Sequence, residues 1–380
     1  MRKLQLFLVC LLLCLPFANP LLAQNSSDGS EQSLSPEKKV GGVKSLEERV
    51  KELEEAIKRT EPTGRWYDRI RISGLIEVEA GYGKTDVKDS DEEDEETSDI
   101  DLSNVELNVD AKVSENVEGH VKIAYGDDEI YVDEGFIMLT GPERFPAYLI
   151  AGRQYVPFGN YETMFITDPN TLILGETREG AAVAGYRVGE QFVDISVGTF
   201  NGGAQTEGDD DAINSFVAAV TAQPLEGLNL GVSYTSNLAA SNSFNDEVVD
   251  SDNLDSLVGA WSAFVTYAFL ERFTLIGEYV GAIDNFKAGE IYAADDGNER
   301  KPAAWNVELG AVLIDDLSVA LRYGGSDDGG DDFLPEAQYG AVLNWCFIKN
   351  TNLAVEYLHG EFEDDYQDTD TVTAQLAVEF

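Results

Sequence analysis

Residues 155–180 read YVPFGNYETMFITDPNTLILGETREG, a connection too apolar to be idle in water and too broken to be one element. Pro157, Gly159 and Pro169 exclude a continuous helix or a central strand across it. Phe158, Tyr161, Met164, Phe165, Ile166, Leu172, Ile173 and Leu174 give it a packing surface of its own. Arg153 precedes this apolar content, and Glu176 and Arg178 follow it. On both sides the chain alternates apolar and polar residues in short runs. The expected structure is all-β: a 16-stranded antiparallel transmembrane β-barrel, porin-like, with this connection folded into the lumen as a constriction. An ordinary surface loop with a hydrophobic cluster is the alternative, since connections of this length are usually functional or disordered.

The flanking pattern starts at Trp66 and runs to Phe380. Ile70, Ile72, Ile76 and Val78 alternate with Arg69, Arg71, Ser73, Glu77 and Glu79; Val372, Ala374, Leu376, Val378 and Phe380 do the same at the other end. One apolar and one polar face per strand suits a sandwich, or a barrel with lipid outside and water inside. The connections decide between them. Short turns at 114–116, 141–145, 189–190, 224–226, 270, 315–316 and 349–350 alternate with long loops at 81–99, 202–211, 239–256, 284–302, 325–335 and 361–370. Short turns at one end and long loops at the other mark an outer-membrane barrel. Residues 155–180 are then the third long-side loop. Tyr67, Tyr82, Phe200, Phe269, Phe273, Tyr323, Phe347 and Phe380 stand at strand ends and are expected as interfacial girdles.

Upstream, residues 1–23 read as a signal peptide: Arg2 and Lys3, an apolar run ending at Pro16, then Leu21-Leu22-Ala23. Leu13 is too bulky for a lipidation signal at Cys14. Export places the chain in a Gram-negative envelope and leaves Cys346 as the one mature thiol, with no intrachain disulfide. Residues 24–42 read as a disordered linker. Residues 43–60 carry Val43, Leu46, Val50, Leu53 and Ile57 at heptad spacing, a coiled-coil helix on the periplasmic side. So short a helix needs a partner, or a place on its own domain. A homotrimer is expected because sixteen-stranded porins are usually trimers, although Val and Leu at these core positions mildly favour dimers.

The net charge is −45, from 71 acidic and 26 basic residues. Its surplus concentrates in the long loops, as in DVKDSDEEDEETSD (86–99) and EFEDDYQDTD (361–370). Such blocks are solvated, but on one rim they form a negative funnel that enriches cations and repels polyanions, excluding nucleic acid as a partner. No calcium-loop spacing and no other metal or cofactor motif is present. The histidines, His120 and His359, have no local nucleophile partner and Gly-x-Ser-x-Gly is absent, so no enzyme and no catalytic residues are expected. The candidate constriction is Arg153, Tyr155, Glu162, Asp168, Glu176 and Arg178. Either Arg153 and Arg178 oppose Glu162 and Asp168 across the bore and set selectivity, or Arg178 pairs with Glu176 or Glu179 in the wall.

ISGLIEVEAGYG (72–83), VDEG (132–135), AGRQYVPFGNYE (151–162) and DPNTLILGETREGA (168–181) together resemble the LbtU-type siderophore porins. The resemblance covers most of the mature chain and is strongest over 70–201. It implies an outer-membrane porin and, for the named member, siderophore uptake; it carries over no catalytic or ligand residue. The expected function is therefore passive diffusion of small hydrophilic solutes, cation-preferring and including siderophore or chelated iron, through the outer-membrane bilayer. The absence of a plug domain before strand one argues against energised import. The alternatives are a surface receptor or adhesin using the acidic loops, and a structural barrel tethered through its coiled coil.

Overall fold

The computed structural model describes residues 66–88, 94–126, 129–189, 193–206, 212–249, 254–292, 297–363 and 366–380. The expected signal peptide (1–23), linker (24–42) and coiled coil (43–60) lie outside the described residues.

Sixteen antiparallel strands close into one barrel, each bonded to its sequence neighbours and β1 to β16. They are β1 (Ile70–Val87), β2 (Glu95–Ser114), β3 (Val117–Gly126), β4 (Glu129–Thr140), β5 (Ala147–Tyr155), β6 (Arg178–Val188), β7 (Val193–Phe200), β8 (Ser215–Leu225), β9 (Leu228–Thr235), β10 (Ala260–Phe269), β11 (Phe273–Ala282), β12 (Ala303–Ile314), β13 (Leu317–Asp327), β14 (Ala337–Ile348), β15 (Thr351–Glu361) and β16 (Gln367–Glu379). Two six-residue helices sit in loops, α1 (Asn170–Gly175) and α2 (Asn242–Glu247).

The alternation expected from sequence runs inside out relative to a water-soluble sheet. On β12, Val307 and Leu309 are each 46 % exposed while Asn306 and Glu308 between and beside them are buried. Val355 and Tyr357 on β15 likewise point outward around buried Glu356. A continuous apolar exterior of this kind is far larger than soluble monomers tolerate, and it is what lipid requires of a barrel. Closure removes the edge strands that an open sheet would leave unpaired. The seam is finished by the last residue: Phe380 and Gly74 exchange both backbone hydrogen bonds, at 2.9 and 3.1 Å. Glycine suits position 74, because a Cβ there would lie 2.9 Å from the Glu106 carbonyl oxygen and 2.4 Å from the Phe380 ring.

Two expectations need correction. The loops drawn at 81–99 and 361–370 are mostly strand: β1 runs to Val87, β2 starts at Glu95 and β16 starts at Gln367. The register continues from Gly81↔Thr373 to Val87↔Gln367. These acids do not break the ladder because the ribbon can carry polar residues on both faces where it stands clear of lipid. Lys88 meets Asp368 across it at 2.9 Å. Phe200 is not an interfacial aromatic. It is 1 % exposed and faces inward, in a core built by the loops.

That core covers one end of the barrel. Residues from the loops after β5, β7, β9, β11 and β13 pack together, with Phe244 of α2 against Phe286 at 5.8 Å and Phe333 at 5.9 Å between ring centres. Tyr292 joins them and donates its hydroxyl to the Asp328 carbonyl at 2.7 Å. Burial, with Glu363 and Asp328 nearby, pushes its phenol above the ordinary range.

Candidate functional site

The chain leaves β5 at Tyr155 and re-enters the wall at Arg178, and the neck is closed by Val156 N–H donating to the Thr177 carbonyl at 3.0 Å. Between them residues 156–177 turn into the lumen, as expected. Gly159 makes the turn at φ +73°, where a Cβ would collide with the Tyr161 ring at 2.2 Å. The apolar residues fall in two groups. Phe158, Leu172 and Leu174 join the loop core, while Met164, Phe165 and Ile166 pack on Ile276, Ala320, Val342 and Leu358 of the far wall.

An extended segment crossing a lumen has backbone N–H groups that no sheet satisfies. Here wall side chains satisfy them. Glu278 on β11 accepts from the N–H groups of Asn160 and Tyr161, both at 2.7 Å. Glu308 on β12 accepts from Thr163 Oγ1 at 2.6 Å and Met164 N–H at 2.7 Å. Glu356 on β15 accepts from Ile166 N–H and from Thr167 Oγ1 at 2.6 Å. Asn344 on β14 donates to the Met164 carbonyl at 3.1 Å, and Ser233 on β9 accepts from Gly159 N–H at 2.9 Å. Arg322 on β13 completes the set. It bonds Glu308, donates to Thr163 Oγ1 and the Thr167 carbonyl, and lies 4.3 Å over the Phe165 ring. The Glu308 and Arg322 side chains are both 0 % exposed. Charges so buried are tolerable only when paired and hydrogen-bonded, as these are. The loop is therefore a latched partition rather than a flexible lid.

The near wall carries a second charged network. Lys122 on β3 lies 2.5 Å from Asp133, 3.6 Å from Glu106 and 3.9 Å from Glu134. Asp133 also pairs with Arg178 and accepts from the Tyr155 hydroxyl at 3.2 Å. Asp133 is the extra residue where the β3–β4 register shifts: Lys122 pairs with Glu134 and Ile123 with Val132. Such a bulge re-aims a side chain.

Of the expected constriction residues, Arg153, Tyr155, Asp168 and Arg178 line one cavity of about 410 Å³ together with Glu179. Its other side is α2, through Asn242, Ser243, Asn245, Asp246 and Glu247. The remaining two stand elsewhere. Glu162 accepts from Thr266 Oγ1 on β10 at 2.6 Å, and Glu176 meets Asn242 Nδ2 at 3.5 Å. Asp133, a partner of Arg178, was in neither expected set.

Sequence reasoning missed Glu278, Glu308, Arg322, Glu356 and Asp133. Glu308, Arg322 and Glu356 had a legible half-signal: each sits between outward apolar neighbours in a period-two run, as in NVELG and AVEYLHG, and so had to face the lumen, whereas Glu278 lies between Gly277 and Tyr279 with apolar Ile276 and Val280 on its own face. What each would bond there was not legible.

No protein-family model matches the chain. It is similar to a UPF0422 protein of Coxiella burnetii, 26 % identical over 306 residues that cover 77 % of this chain and 64 % of the relative. A UPF0422 protein of Legionella pneumophila strain Lens is 28 % identical over 298 residues, 69 % of this chain and 54 % of the relative. The chain thus spans less than two thirds of the length of these relatives. In fold it is similar to the outer-membrane channel DcaP of Acinetobacter baumannii, at TM-score 0.60 and 15 % identity over 82 % of this chain and 97 % of that one. An anion-selective porin from Comamonas acidovorans gives TM-score 0.60 and 12 % identity over 82 % and 99 %. Salmonella typhi OmpF, solved with daunomycin, gives 0.54 and 14 % over 82 % and 97 %. The barrel is porin-like in its architecture.

Proposed function

We propose that the chain is an outer-membrane porin for passive diffusion of small hydrophilic solutes. The observation that carries this is the latched loop 156–177, which crosses the lumen and leaves the polar cavity of Arg153, Tyr155, Asp168 and Arg178 beside it. The long-loop end faces outward and the N-terminal segment lies in the periplasm. Cations are preferred over anions, siderophore-type chelates are among the cargo implied by the resemblance, and the assembly is a homotrimer. Planar-bilayer recording on the purified chain tests the reading: discrete conductance steps with a cation-selective reversal potential are expected, and a silent barrel would overturn it.

Rim and constriction contribute differently, and salt separates them. Acids on the outer ribbons face wide water, where charges are screened over ~10 Å at 0.1 M salt. Preference set there fades as salt rises, and shortening 86–99 and 361–370 should remove that fading part only. The part that survives 1 M salt should follow the cavity residues. An anion-selective wild-type pore at low salt would sink the funnel.

A surface receptor is the second reading, favoured by the apolar core that fixes five loops over one end. It predicts a barrel without conductance whose ligand binding is lost when the loops are shaved. Orientation is tested in a Cys346→Ser background with an impermeant thiol reagent on intact cells. Ser256→Cys should label and Asn116→Cys should not; the reverse would invert the topology.

A further inference from the structure

Closure pairs every strand of the cylinder, but one strand outruns its neighbour and keeps an open edge. β3 ends at Gly126, and its ladder with β2 stops at Val105↔Tyr125. β2 extends beyond that point to Glu95. On its other side β1 and β16 rise with it, paired as far as Val87↔Gln367. Residues 95–104 are therefore the outer strand of a three-stranded sheet, and among the described residues no strand pairs with their far side. At ~3.4 Å per residue this is roughly 34 Å of edge. Within it Ile100 N–H donates to Asp99 Oδ1 at 2.7 Å, so a neighbouring carboxylate serves a main-chain donor.

An open edge offers its backbone to any extended chain, and the side chains decide which one. Glu95, Glu96, Asp99 and Asp101 stand along it, all exposed, with no Lys or Arg among residues 95–104. Against a second copy of the same edge, acid would oppose acid, which destabilises paired strands. A basic strand meets the opposite sign. Successive side chains point to opposite faces of a strand, so Asp99 and Asp101 share one face and Ile100 and Leu102 the other. Ile100 is 76 % exposed and Leu102 38 %. A uniformly basic chain would leave these two uncovered. A strand that alternates cationic and apolar residues answers both faces at once.

We propose that residues 95–104 are a docking edge for an extended basic segment of another protein. The segment binds by strand addition, with its cations on Asp99 and Asp101 and its apolar residues on Ile100 and Leu102. The edge lies at the long-loop end of the barrel, and binding there needs no conduction.

The probe is a labelled peptide, KVKVKVKV, titrated by fluorescence anisotropy against the full chain in phosphatidylcholine nanodiscs, with empty discs as the blank. Salt is held at 0.15 M, where plain Coulombic attraction between exposed charges is screened. The peptide should bind saturably, and about tenfold more tightly than block-ordered KKKKVVVV of the same charge. A fully N-methylated version lacks the donors that strand addition uses and should also bind about tenfold more weakly. Asp99→Asn with Asp101→Asn, both at exposed positions, should weaken the parent peptide by a similar factor. Amide hydrogen exchange within 95–104 should slow when the peptide is bound. Absent binding overturns the proposal. So does equal binding of the block-ordered or methylated peptide, or protection that falls elsewhere on the chain. A dimer that protects 95–104 without any peptide would put a second copy on the edge, and overturns it too.

Discussion

Glu308→Ala is expected to lower the stability of the barrel by about 3–5 kcal/mol, the usual result of deleting one member of a buried ion pair. The substitution strands Arg322, whose side chain is wholly buried, and removes the acceptor of both Thr163 and Met164. Urea unfolding from lipid vesicles would read the loss, and bilayer recording should show a larger and noisier conductance as the partition loosens. Arg322→Ala strands Glu308 in the same way. The double variant should cost less than the two singles added, because the second deletion removes the charge that the first left unpaired. A single Glu308→Ala variant within about 0.5 kcal/mol of wild type, the range of ordinary surface changes, would show that this carboxylate does not hold the loop.

The second large effect is on selectivity. Asp133 is 1 % exposed and answers both Lys122 and Arg178. Asp133→Asn leaves Lys122 with Glu106 and Glu134 but takes from Arg178 the carboxylate that neutralises it. Arg153 and Arg178 would then face the cavity as two cations. The reversal potential in a salt gradient should move towards anions. The shift should persist at high salt, because these charges stand close to any passing ion rather than at the wide rim. Asp246→Asn, on exposed α2, should move it in the same direction by less and fade with salt. An unchanged reversal potential in Asp133→Asn would remove this network from the conduction path. The variant should also lose stability of the order expected for a broken buried pair, about 3–5 kcal/mol.

Much of this was written in the period-two pattern. Strand number, antiparallel order and the inward course of 156–177 follow from alternation, from loop lengths, and from an apolar connection punctuated by Pro157, Gly159 and Pro169. The limits are equally physical. Acidic composition made 81–99 and 361–370 look like loops, but composition does not report pairing, and above the membrane a hairpin can be polar on both faces. Phe200 illustrates the reverse difficulty: a strand-end aromatic belongs to the lipid interface or to the loop core according to a rotation that the residue itself does not encode. Asp133 was hidden for a third reason. In VDEG the alternation reads regularly, and only the register shift against β3 turns Asp133 and Glu134 both into reach of Lys122. Arg153, Tyr155, Asp168 and Arg178 could be gathered because they are close in sequence. Glu278, Glu308 and Glu356 could not, lying more than a hundred residues from the groups they bind.

Those long separations make the latch a matter of timing. Asn160 waits for a residue 118 positions later, Met164 for one 144 later, and Ile166 for one 190 later. Contacts so distant in the chain are the last to repay their closure cost. While β11 to β15 are still unassembled, the segment exists as an apolar, unsatisfied strip with nowhere to dock. A nascent chain interrupted before β15 would hold the strip by Ser233, Glu278, Glu308, Arg322 and Asn344, leaving Ile166 and Thr167 without their carboxylate. The bore therefore acquires its final width only as the cylinder itself shuts, and a cell that releases the barrel early releases it wide.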